Sequence, residues 1–298
     1  MSSGGINYRV RHVTEVRYDS PVKLARFNLR LMPAEWPGQT LVDCRLDVSP
    51  KPRELVKEYG PFIVNTSRLT LEEAISSLTV TSEFSARVDR TLPSFDSQPR
   101  MSEVRIQALA DRDLTARGPS CYIYDSLVAI AVAEIAEWAA PWLAADRGIA
   151  EAASALMHAI HDQFTYDSKA TEADTPPVEA FRARRGVCQD FAHIMIIALR
   201  AYGIPAAYVS GYLRTLPPPG KPRLVGADAT HAWVNVWCGA AMGWTGFDPT
   251  NAILAVNDHI FTAMGRDYAD VSPLDGVFIG RTGQRMKVSV DVLPLNAP

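Results

Sequence analysis

Cysteine is scarce in this chain: four in 298 residues, at positions 44, 121, 188 and 238. No two of them stand close enough for a zinc or iron–sulfur pair, so no metal is implied, and reduced thiols in the cytoplasm are the expected setting. Excess charge of one sign is also missing. Thirty Lys and Arg against 33 Asp and Glu leave a net charge of −3, which offers no electrostatic footprint for nucleic acid or an anionic membrane. Neither a G-x-G-x-x-G nor a P-loop pattern occurs, so no nucleotide or flavin cofactor is implied. The longest apolar stretch, residues 127–145, contains Glu134, Glu137 and Pro141 and reads as a buried helix, not a membrane span. No apolar segment follows the first ten residues, so no signal peptide is expected. With 47% apolar and 21% charged residues, the chain can bury one large or two medium cores.

What is present centres on Arg185-Gly186-Val187-Cys188-Gln189-Asp190-Phe191-Ala192-His193. An apolar run follows, Ile194-Met195-Ile196-Ile197-Ala198-Leu199, closed by Gly203 and Pro205. It is too long for one strand and reads as a buried helix. Cys188 then falls in the first turn, where unpaired N–H groups and the positive end of the dipole favour a thiolate. The competing reading is a core cysteine, since free Cys is among the most buried residue types.

Two later segments bear on that choice. Thr230 to Trp237 reads as a strand, and Gly243 to Asn251 as its antiparallel return. Pairing Trp237 with Met242 across a four-residue loop sets His231 opposite Asp248, with Cβ atoms about 5 Å apart on one face. A slip of one residue would place them on opposite faces. A Cys at a helix start, with His and Asp paired across a hairpin, is the nucleophile, base and orienter arrangement. Taken singly, His231 could be a satisfied strand histidine, and Asp248 a cap for the turn into Pro249-Thr250-Asn251.

Four blocks in order carry a family likeness: residues 186–193, 204–213 (Ile-Pro-Ala-Ala-Tyr-Val-Ser-Gly-Tyr-Leu), 228–234 (Asp-Ala-Thr-His-Ala-Trp-Val) and 243–251 (Gly-Trp-Thr-Gly-Phe-Asp-Pro-Thr-Asn). The chain resembles the bacterial transglutaminase-like proteins, papain-related thiol enzymes that include candidate cysteine proteases. Residues 265–273 continue the likeness, and the N-terminal region is similar to the β-rich domain that precedes the core in this group. The resemblance implies an α+β fold. An N-terminal antiparallel β-sandwich (residues 1–95) would precede a papain-like/transglutaminase-like core with C-terminal strands (residues 96–298), the nucleophile helix packed on an antiparallel sheet. It implies thiol-dependent acyl transfer through Cys188, His231 and Asp248: hydrolysis of a peptide, isopeptide or other amide, without a cofactor. Transfer of the acyl group to an amine, as in true transglutaminases, is the alternative, and a binding module that lost turnover is a third. Peptide or protein amides are the implied partners.

The backbone N–H of Cys188 is a natural oxyanion donor. For a second donor the candidates are Tyr166, at an aromatic position common before the Cys helix in the family, and Gln189, beside the nucleophile. Asn235 lies on the His231 face of its strand, where the family commonly has Glu, and is a candidate for contact with the site. Asp190 and His193 belong to the motif but lie off the Cys188 helix face, as support. Arg266, Asp267, Tyr268 and Asp270 line the cleft or form an ion-pair network.

Along the rest of the chain, residues 7–92 alternate as short strands, with His12 on one of them as a structural or merely exposed histidine. Residues 92–119 read as a linker. Helices are expected at 125–140 and 148–164, the second burying Ile149, Ala152, Leu156, Ile160 and Phe164. His158 and His161 on that helix lack partners for a metal site. Residues 215–229 form a long proline-bearing loop before His231. Two strands close the chain around residues 281–284, with Met286, Val288, Val290 and Val292 as the inward row.

Overall fold

The computed structural model describes residues 4–215 and 230–295; the expected loop at 215–229 lies, except for Thr215, outside them. Five antiparallel strands open the chain: β1 (Ile6–Met32), β2 (Gln39–Ser49), β3 (Glu54–Tyr59), β4 (Asn65–Leu71) and β5 (Ile75–Val88). β1 is long enough to serve two halves of one curled sheet. Its first half pairs with β5, and its second half with β4. Register breaks between Arg17 and Val22, and Leu24 sits at φ 46, so the strand bends there. Alternation follows from the pleat: Tyr8, Val10, Val16 and Val22 are buried, and with Phe27, Leu29, Leu69, Leu78 and Val80 they fill the interior. His12 is fully buried, its Nδ1 3.0 Å from the Tyr212 hydroxyl and its Nε2 2.9 Å from Thr14 Oγ1. Burial pulls its pKa down to about 4.

Residues 92–119, read as a linker, contain helix α1 (Met101–Ala110). Only Met101, Val104 and Ala108 of this helix are buried, while Ile106 and Leu109 are exposed, so its apolar pattern is blurred around the axis. The helix expected at 125–140 is confined to α2 (Ala133–Ala139), and α3 (Ile149–Gln163) buries the row expected of it. Next come the two-residue strand β6 (Thr165–Tyr166), helix α4 (Pro177–Ala183), the two-residue β7 (Arg185–Gly186) and the central helix α5 (Cys188–Ala201). Pro177 in the first turn of α4, with its φ already set and no N–H to leave unpaired, starts that helix.

A second, wholly antiparallel sheet lies against α5. It comprises β8 (Ala206–Leu213), β9 (Thr230–Trp237), β10 (Trp244–Asp248), β11 (Ile253–Leu254) and β12 (His259–Gly265), in the order β11-β10-β9-β8-β12. Phe191, Ile194, Met195, Ile197 and Ala198 of α5 pack with Tyr208, Ala232, Val234 and Val236 from the sheet. Arg200 interrupts this apolar helix and is itself buried. Its guanidinium donates to the carbonyls of Tyr122, Tyr124, Ala206 and Arg266 and to Ser126 Oγ, at 2.6–3.2 Å. One buried cation thus ties the end of α5 to three separate segments.

The last elements are α6 (Tyr268–Val271), β13 (Leu274–Ile279) and β14 (Gln284–Pro294). A division at 95/96 would leave both strands with the core. Hydrogen bonding instead sets them on β1, where Asn28 pairs with Asp275 and Val10 with Val292. The chain therefore returns to finish its first sheet. Of the expected inward row, Val290 and Val292 are buried, whereas Met286 and Val288 are exposed, beyond the reach of the interior that begins at Val290.

Arg200→Met removes the donor shared by four carbonyls, of which those of Tyr122 and Ala206 are buried, and each orphaned buried acceptor costs about 1–3 kcal/mol. A loss of at least about 3 kcal/mol in urea unfolding is expected. A loss below about 1 kcal/mol would show that those carbonyls do not depend on Arg200.

Candidate active site

The approach to Cys188 is shaped by its neighbours. α4 ends at Arg184, in the left-handed region (φ 52), with its guanidinium stacked over the rings of Phe181, Phe164 and Trp138. The chain turns there, and Arg185 and Gly186 pair in parallel with Thr165 and Tyr166. Gly186 is required by close approach: a Cβ would stand 2.6 Å from Asp190 Oδ2. That carboxylate accepts from the Val187 N–H (2.8 Å) and the Thr171 hydroxyl (2.6 Å), closing the first turn of α5 beside Cys188. Burial raises the Asp190 pKa against the pull of these two donors. Cys188 itself is partly exposed.

His231 begins β9 with a side chain 9% exposed. Its Nε2 lies 2.8 Å from Asp248 Oδ2. Cys188 lies near enough for its side chain to act on the ring, and Nδ1 is the ring nitrogen that Asp248 does not engage. Burial opposes charge on the ring, but the hydrogen bonds and charges of Asp248 and Cys188 prevail and raise the His231 pKa to about 10. Asp248 is fully buried, and its carboxyl is held well below the usual carboxylate range. Burial works against this, and hydrogen bonds from His231 and His259 overcome it.

The structure thus brings Cys188, His231 and Asp248 together, through a hairpin register two residues from the expected one. Trp244 pairs with Trp237 and Phe247 with Val234, so the loop spans Gly239 to Met242. A two-residue shift preserves the face, and His231 meets Asp248 diagonally instead of directly. Asp248 also performs the turn-capping role, its Oδ1 accepting from the Thr250 and Asn251 amides at 3.0 and 3.2 Å.

The other candidates part company. Tyr166 is exposed, is paired with Gly186 across the short ladder, and lies near enough to Cys188 for its charge to be felt. Gln189 points its amide at the Ala173 carbonyl (2.9 Å), tying down the preceding loop. Asn235 is buried against Met264 Sδ, at 3.4 Å, and is not hydrogen-bonded to His231 or Asp248. Arg266 and Asp270 form an ion pair, Asp267 caps α6, and His193 accepts from the Tyr268 amide, so this group is a structural network. Cys238 is buried and its thiol is pushed up to about 12. His158 and His161 bond backbone carbonyls of Ser154 and Thr250.

Sequence reasoning missed His259. This fully buried residue at the start of β12 places its Nε2 3.1 Å from Asp248 Oδ2. A histidine heading an apolar strand eleven residues after Asp248 was the available signal. His231, Asp248 and His259 are close enough to share a metal ion, and they are the one such group among the described residues. Their spacing is already accounted for by two hydrogen bonds.

Residues 136–249 match the model of the transglutaminase-like superfamily, and residues 8–87 that of the bacterial transglutaminase-like N-terminal region. An uncharacterised protein of Mycobacterium tuberculosis is 37% identical over 297 residues, 98% of this chain and 94% of its own. The chain belongs to the transglutaminase-like superfamily. A protein-glutamine gamma-glutamyltransferase of Pseudomonas aeruginosa is 41% identical over 101 residues, 33% of this chain and 15% of that one. Among solved structures, a candidate cysteine protease of Cytophaga hutchinsonii superposes with a TM-score of 0.74 at 20% identity, covering 99% of this chain and 93% of that one, and so shares the fold. No helix among the described residues is long and apolar enough to cross a membrane.

Asp190→Ala removes the acceptor for Val187 N–H and Thr171. It is expected to cost about 0.5–2 kcal/mol in urea unfolding and to speed amide exchange at Val187. Unchanged exchange at Val187 would contradict the capping role.

Proposed function

We propose that the chain is a thiol-dependent acyl-transfer enzyme in which Cys188 is the nucleophile, His231 the general base and acid, and Asp248 its orienter, acting on a peptide, isopeptide or related amide. The observation that carries the reading is the His231 ring bonded at 2.8 Å to the buried Asp248 carboxylate, with Cys188 near enough to act on it. Asp248 fixes the ring so that Nε2–H faces the carboxylate and Nδ1 faces the sulfur. The thiolate attacks the amide carbon, forming a C–S bond and a tetrahedral oxyanion. Collapse breaks the C–N bond, and His231 gives its proton to the leaving amine. Water then attacks the thioester as His231 takes its proton, and Cys188 leaves as thiolate. The Cys188 N–H at the helix start is placed to donate to the oxyanion, with Tyr166 the better candidate for a second donor. Gln189 is already committed to Ala173.

Hydrolysis is the leading outcome. The 101-residue match to a gamma-glutamyltransferase supports a second reading, capture of the thioester by an amine. A peptide mixture incubated with an added primary amine separates the two, since products gain the mass of either water or the amine. The four cysteines are free thiols, which suits a cytoplasmic setting.

A brief, limiting dose of iodoacetamide near pH 6 is expected to label Cys188 ahead of Cys44, Cys121 and Cys238, as read by peptide mass spectrometry. Preferential labelling of exposed Cys44 would remove the nucleophile from this account. Cys188→Ser and His231→Ala should each abolish turnover, and Asp248→Asn should cost less, because the amide keeps one hydrogen bond but loses the charge.

A further inference from the structure

Asp248 is held by more donors than an orienting carboxylate needs. Oδ1 accepts from the Thr250 and Asn251 amides, while Oδ2 accepts from His231 Nε2, Asn251 Nδ2 (2.8 Å) and His259 Nε2. Asn251 and the two amides belong to the turn that Asp248 itself caps. His259 comes from a different strand, eleven residues on, and its ring makes no other hydrogen bond.

That isolation fixes its chemical state. His259 is fully buried, and its Nδ1 has no hydrogen-bond partner. A proton on Nδ1 would be a dry, unpaired donor, and would leave an Nε2 lone pair facing the carboxylate if the ring were neutral. The proton therefore sits on Nε2, pointing at Asp248. Burial also disfavours the cation, holding the His259 pKa below its ordinary value despite the neighbouring carboxylate. The ring is clamped edge-on against Trp233, with centroids 5.1 Å apart.

The first sheet holds the segment carrying His259. Arg90 donates to the His259 carbonyl (2.6 Å), and its own amide donates to Asn257 Oδ1 (2.7 Å). Gln39 brackets Phe261 through both its N–H and its carbonyl (2.8 and 2.7 Å). Tyr8 donates to Asp258 at 2.8 Å. Each of these three residues comes from the N-terminal region.

We propose that His259 is a positioning residue of the site, a fixed neutral N–H donor that locks the Asp248 carboxylate toward His231. The N-terminal β-rich region serves the chemistry by holding His259 in place. The proposal rests on the reading of Cys188, His231 and Asp248 given above. It makes the site a relay of four groups, with the last one anchored in the neighbouring sheet.

The test uses the full chain and the rate of Cys188 alkylation by limiting iodoacetamide at pH 7, in three variants. His259→Phe keeps the ring and its packing but removes the donor; His259→Gln keeps a donor; Asp248→Asn is the reference. Asp248→Asn and His259→Phe are each expected to slow alkylation by about tenfold, and His259→Gln to stay within about threefold of the native rate. If Asp248→Asn slows the reaction and His259→Phe does not, or if Gln is as slow as Phe, the His259 proposal is overturned alone. If Asp248→Asn itself leaves the rate unchanged, the underlying site reading fails instead. Should His259→Phe not fold, nitrogen-15 NMR of the native protein decides. A bare Nδ1 with a protonated Nε2 is expected at His259, and a proton on Nδ1 overturns the proposal.

Discussion

A single buried carboxylate organises this molecule. Asp248 lies out of contact with solvent and would be costly there unpaired. Its five hydrogen bonds draw on the turn after β10, the start of β9 and the start of β12. In satisfying the carboxylate, the fold fixes three strand ends relative to one another. His231 is then the one donor whose opposite side faces the helix that begins with Cys188. The raised His231 pKa follows from that arrangement, because the imidazolium lies beside an anion that cannot move away.

The helix side is built with similar economy. α5 is apolar over most of its surface, so it must be buried, and its start is held by Asp190 while its end is held by Arg200. With both ends fixed, Cys188 has little freedom relative to the sheet. The first sheet is completed by β13 and β14, which the chain adds only after the second sheet is finished. Sequence ends and sequence middle are thereby locked together, and the grip of Tyr8, Gln39 and Arg90 on the start of β12 crosses the same boundary.

Much of the site was legible because its signals are local. A helix start after Gly186 and a hairpin with odd–even alternation are short-range features. Parity alone brought His231 and Asp248 to one face even though the register was two residues off. Tertiary capture was not legible. His259 reads as an ordinary strand histidine until β12 is laid beside β8, two strands from the Asp248 hairpin edge. Arg200 follows an apolar run without local partners in the sequence, and its acceptors lie on segments 66 to 78 residues distant as well as on nearby Ala206. α1 escaped notice because exposed Ile106 and Leu109 blur its buried face. The C-terminal strands were recognised as strands but not as members of the first sheet, since pairing across some 270 residues leaves no periodic trace.

A charged His231 beside Cys188 and Asp248 is central to the chemistry of the site. Nitrogen-15 NMR of histidine-labelled protein, followed from pH 6 to 11, reads that charge directly. The His231 ring should be protonated on both nitrogens at pH 8 and lose its proton only near pH 10. The pairing stabilises the fold fully below the free-imidazole value of 6.5, and that contribution is lost as pH rises through about 10. A His231 ring that is neutral at pH 8 and titrates near 6.5 would contradict the ion-pair site.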